Sequence, residues 1–186
     1  MTNNEIRNRR ASSFVRVFGF PNPVNEKAAR TVAGGVLVLA GLTLVLSLTA
    51  GEGWLWISAV LAAGFVARVL TGPTLSPLGR LATSVIAPRL GEPKLVPGPP
   101  KRFAQAIGVV VTGAATVATA VSAFGLAQIM LVLIIAAAGL ESIFGYCLGC
   151  KIFAVLMNAG IIPEQTCEEC SRIPASVAAP AGRPSR

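Results

Sequence analysis

Four cysteines, Cys147, Cys150, Cys167 and Cys170, stand in "CLGCKIFAVLMNAGIIPEQTCEEC". They form two CxxC pairs with sixteen residues between them. Positions i and i+3 share a helix face, so each pair brings two sulfurs together. Two chemistries fit this pattern. Four thiolates at this spacing suit a zinc site; the chain has no histidine, which excludes mixed ligation but leaves all-cysteine zinc or iron–sulfur sites open. Either pair alone suits a redox-active dithiol. From Lys151 the sequence reads as a short helix that Gly160 and Pro163 end. The stretch from Ile161 to Cys167 can extend over about 23 Å, so the second pair can return to the first.

The two pairs have unequal surroundings. Cys147 stands where a helix begins, with Lys151 one turn on, and both features favour a thiolate. Lys151 is therefore read as tuning the Cys147–Cys150 pair. Cys167 and Cys170 flank Glu168 and Glu169, whose charge disfavours a second anion. Such asymmetry favours thiol or sulfur exchange over a symmetrical cage. The metal reading, with Cys147, Cys150, Cys167 and Cys170 as ligands, stays open beside it. Glu141 is the one acid inside an apolar run and is expected to pair with Arg68. On a continuous helix it would not share a face with Cys147.

The elements that carry these residues are apolar. The chain has 186 residues, 53% hydrophobic and 13% charged, where a soluble domain carries about 25% charged residues. Thr31 to Ala50 holds no charge, and neither does Phe103 to Leu140. A membrane span needs about 20 apolar residues. The pattern predicts an all-α membrane bundle with spans near 31–50, 54–70, 103–122 and 126–145. Trp54 and Trp56 are expected as interfacial anchors. Residues 1–24 form a basic arm, 25–163 the transmembrane domain, and 164–186 a tail that carries the second cysteine pair. In "FGFPNPVNEKAAR", Asn25 is placed to cap a helix starting at Glu26, and Phe18 and Phe20 sit at the interface. Pro77, Leu78, Leu81 and Val85 predict a short helix on the membrane surface. "GEPKLVPGPPKR" reads as a stiff connector. Ala114, Ala118 and Ser122 predict a packing stripe in the third span.

Charge fixes the expected orientation. The sixteen basic residues fall before the first span, from the end of the second to the start of the third, and after the fourth. The turn between the first two spans carries only Glu52. By the positive-inside rule both termini, the middle loop and the cysteines are cytoplasmic. Thiols there stay reduced, which argues against a structural disulfide. The net charge of +8 is explained by retention at the membrane face and does not call for nucleic acid.

At "FGFPNPVNEKAAR", "GPTLSPLGRLA", "GPPKRFAQAIG" and "FGYCLGCKIF" the chain resembles a family of bacterial integral membrane proteins catalogued as a domain of unknown function. The likeness runs from about Phe18 to Asn158, and "FGYCLGC" is its most specific element. It implies a four-span protein of the bacterial inner membrane, with Cys147 and Cys150 as the residues carried over. Members often stand in genomes near thioredoxin-like proteins and sulfurtransferases, which implies thiol or sulfur handling with such partners.

Overall fold

The computed structural model describes residues 22–73 and 76–162. It is an all-α bundle containing four helical stretches long and apolar enough to cross a membrane. Helix α1 (Glu26–Thr49) starts where the Asn25 side chain accepts a hydrogen bond from the Lys27 amide at 3.0 Å. Glu26 adds a carboxylate at the positive helix end. A 3₁₀ turn, Glu52–Trp56, leads into α2 (Ile57–Thr71), and Trp54 and Trp56 lie exposed on it. The short α3 (Pro77–Leu81) is capped by Ser76 and continues as a wider helical turn to Ile86. Leu81 and Val85 are exposed there. The remaining elements are α4 (Gly98–Ala120), α5 (Phe124–Phe144) and α6 (Leu148–Asn158).

The long helices run antiparallel. Arg102 Nε donates to the Val69 carbonyl at 3.1 Å, and Arg30 reaches the carbonyls of Ser142 and Ile143. The starts of α1 and α4 and the ends of α2 and α5 therefore share one end of the bundle, where α6 packs on α4. The core joins Val36 and Ala40 of α1, Leu61 and Phe65 of α2, Ala118 of α4, and Leu131 and Ile134 of α5. Other apolar side chains face outward, among them Val38, Val60, Val110, Ile129 and Leu133. That is the arrangement for helices surrounded by hydrocarbon, where backbone polar groups must be satisfied within the segment. The chain is a multi-pass membrane protein. Buried hydroxyls obey the same constraint: Thr43, Thr112 and Thr119 each donate to the carbonyl four residues back.

Three local expectations change. The connector "KLVPG" is not featureless, because β2 (Leu95–Val96) pairs antiparallel with β1 (Val24–Asn25). Helix α4 begins at Gly98 rather than 103, since Pro99 and Pro100 occupy the first turn, where a missing N–H has no helical partner to lose. The buried stripe of α4 is Gly108, Thr112, Ala115 and Ala118. Ala114 lies exposed, and Ser122 has left the helix.

Candidate functional site

Gly145 ends α5 with φ +69°, a left-handed cap that L residues adopt at a cost. A Cβ there would also come within 3.4 Å of Arg30 Nη1 and Glu26 Oε1. Arg30 holds this helix end: its Nη2 donates to the Ile143 carbonyl at 2.8 Å, and Nε and Nη2 to the Ser142 carbonyl at 3.3 and 3.2 Å. A cation on the last carbonyls satisfies orphan acceptors and suits the negative helix end. The break at Gly145 turns the chain, so α6 does not extend α5. Cys147 becomes the N-cap of α6, and Cys150 lies in its first turn.

The start of α6 is pressed against α4. A Cβ at Gly149 would stand 2.6 Å from both Cα and Cβ of Ala104, so any larger residue must push the helices apart. Phe153, one turn further, is buried and meets the Phe103 ring at 5.6 Å. This close seat brings the cysteine pair to the first turns of α4, where Lys101 lies.

Cys147 is 8% exposed, and Cys150 is half-buried. Both are free thiols, with the Cys150 sulfur donating to the Cys147 sulfur at 2.7 Å. That hydrogen bond holds the Cys147 thiol below its ordinary pKa. Burial and the Glu141 charge oppose the shift, while Lys101 and the Cys150 backbone amide support it. Cys150 moves the opposite way: donating to Cys147, and then burial, hold its proton on. The two thiols are therefore unequal, Cys147 the readier to ionise and Cys150 the donor in the hydrogen bond between them. Glu141 and Cys147 also face a cavity inside the bundle. A cavity of about 90 Å³ is lined by Cys147, Glu141, Gln105 and Phe65.

Glu141 pairs differently from the expectation. Lys101 Nζ meets Glu141 Oε1 at 2.6 Å, and both side chains are largely buried. Arg68 feels the Glu141 charge but makes its hydrogen bonds to Gln105 (2.9 Å) and Ser76 (3.2 Å), with its guanidinium 4.3 Å from the Phe65 ring centre. The reason is the early start of α4, which turns Lys101 from a loop residue into a helical one facing the bundle. Glu141 also lies within electrostatic reach of Cys147.

Lys151 is exposed and stands 5.6 Å from the Tyr146 ring centre. Lys101 is the lysine that acts on the Cys147 charge. In the sequence Lys101 stands among the charges of the middle loop, which hides its role. A signal existed: with a helix begun at the prolines, Lys101, Gln105, Gly108 and Thr112 fall on one face. Cys167, Cys170, Phe18 and Phe20 lie outside the described residues. Among the described residues, no group of three potential ligands gathers around a metal position. Cys147 and Cys150 supply two thiolates, and the nearby carboxylate is engaged by Lys101.

No curated protein and no solved structure matches the chain. The model of one family, described as Domain of unknown function (DUF4395), matches residues 24–158, which include every described element that positions the cysteine pair. The chain belongs to that family.

Proposed function

We propose that this protein resides in the bacterial inner membrane with both termini and Cys147–Cys150 on the cytoplasmic face. There the dithiol takes part in thiol–disulfide or sulfur-transfer chemistry with thioredoxin-like or sulfurtransferase partners. The observation that supports this most is the unequal pair itself, a Cys150 thiol hydrogen-bonded to the Cys147 sulfur above a buried Lys101–Glu141 ion pair. In the exchange step the Cys147 thiolate attacks one sulfur of a substrate disulfide, forming a mixed disulfide and releasing the other sulfur as a thiolate. Cys150 then loses its proton to solvent and attacks Cys147. The substrate's second thiolate leaves, and Cys147–Cys150 is the disulfide. The substrate gains two electrons, the dithiol loses two, and a thioredoxin-like dithiol returns them. With a persulfide donor, attack at the outer sulfur instead leaves a persulfide on Cys147 and a thiolate on the donor.

Charge placement supports the orientation. Lys27, Arg30, Lys94, Lys101 and Arg102 gather at the end of the bundle that carries the cysteines, and Glu52 lies at the other. The decisive experiment is trapping. With Cys150→Ser, the expected product is a mixed disulfide between Cys147 and a thioredoxin-like protein or sulfurtransferase, absent when Cys147 is also changed to Ser. Two sulfurs bound to one zinc at about 2.3 Å each would stand roughly 3.8 Å apart, so ligation requires this pair to separate. Stoichiometric zinc or iron in purified protein, lost when either CxxC is changed to Ser, would move the assignment to a four-cysteine metal centre.

A further inference from the structure

A second, partly open cavity lies on the loop side of the bundle, bounded by β1, β2, the first turns of α1, the end of α2, Gly79 and Thr83, and the first turns of α4. Its volume is about 280 Å³, well above the roughly 10–15 Å³ that one water requires. Pro23, Asn25, Thr83, Arg68, Lys101 and Gln105 are among the residues that line it. Arg68 is 5% exposed and Lys101 7%. Arg68 places Nε on Gln105 and Nη1 on Ser76, while its Nη2 is buried without a hydrogen-bond partner among the described residues. A buried donor left unmade is rare in folded proteins, and more so on a charged group. The local charge is also unbalanced, because Arg68 and Lys101 share Glu141 as their carboxylate among the described residues.

From the orphaned guanidinium donor, the excess of cations over carboxylates and the cavity that all three residues line, we infer that Arg68, Lys101 and Gln105 form a binding site for a small anion with acceptor oxygens, of the sulfate, phosphate or carboxylate kind. Guanidinium suits such a group because its donors match the spacing of paired oxygens. The Gln105 amide can turn its N–H₂ toward a third oxygen once the anion engages Arg68. The oxygens could belong to a free anion or to the phosphate of an anionic lipid, since the cavity lies at one end of the helices long enough to cross a membrane. This site does not depend on the thiol chemistry.

The test uses full-length protein with all four cysteines changed to Ser, so failure of the thiol proposal leaves the outcome unaffected. Thermal stability is measured in detergent against sodium sulfate, sodium phosphate and sodium acetate at ionic strength matched with sodium chloride. A parallel arm uses nanodiscs of phosphatidylcholine with or without phosphatidylglycerol. Sulfate stabilises many proteins by exclusion, without saturating. The expected result is therefore a saturable rise in Tm with one of the free anions, or with phosphatidylglycerol alone if the occupant is a headgroup. Gln105→Glu places a carboxylate beside Arg68 and should abolish the response while leaving the Tm in chloride equal or higher. Arg68→Lys keeps the charge, loses the fork, and should weaken binding about tenfold. A response that does not saturate, that chloride reproduces, or that persists in both variants overturns the inference, as does no response in either arm.

Discussion

At the scale of single residues, the dithiol is a balance of opposed influences, and each can be removed separately. Alkylation follows the thiolate fraction, so the pH at half-maximal rate reports the Cys147 pKa. In metal-free protein it should fall below the ordinary thiol value of about 8.5. Cys150→Ala removes the strongest support and should raise it. Glu141→Gln removes a repelling charge while retaining a hydrogen-bond acceptor for Lys101, and should lower it. Lys101→Gln should raise it more than Lys151→Gln, because Lys151 faces the Tyr146 ring. Equal profiles for all four variants and the parent would remove the electrostatic account of the pair. The CxxC itself was legible, since spacing alone puts two sulfurs on one helical turn. The identity of the tuning lysine was not. Sequence distance favoured Lys151, whereas the cation is supplied from a helix some fifty residues earlier through a tertiary contact.

At the scale of elements, two glycines make the site. Gly145 separates α5 from α6, and Gly149 lets α6 lie against α4. Gly145→Ala forces a Cβ into left-handed backbone and should destabilise the protein by about 1 kcal/mol or more, read as a lower Tm in detergent. Gly149→Ala overpacks the α4–α6 contact and should cost about 1–3 kcal/mol. The second change should also quicken Cys147 alkylation at fixed pH, because lifting α6 exposes the sulfur. Unchanged alkylation with a lowered Tm would mean that α6 yields elsewhere. The apolar runs revealed the four long helices, because span length follows from composition. Their junctions were less legible. Pro99 and Pro100 look like a connector until they are recognised as a permitted first turn, and an αL glycine cap is visible in sequence only as one more glycine.

At the scale of the whole molecule, orientation decides which partners can meet the dithiol, and the bundle makes it testable with two labels. Antiparallel packing puts the Glu52–Trp56 turn at the end opposite Cys147 and Cys150. Gly53 is exposed on that turn, and a Cβ there meets nothing within 4 Å, so Gly53→Cys should be tolerated. In protein with the four native cysteines changed to Ser, a membrane-impermeant maleimide added to spheroplasts should label Gly53→Cys. The native thiols should react with the same reagent only after the membrane is opened, and Cys150 should do so faster than the more buried Cys147 when both are thiolate. The proposed orientation rests on the cost of moving basic side chains across the bilayer, which the lysines and arginines at one end raise and the single Glu52 at the other does not. Labelling of the native cysteines from outside, with Gly53→Cys protected, would invert the topology. The dithiol would then face an oxidising compartment, and cytosolic thioredoxin-like partners would have no access to it.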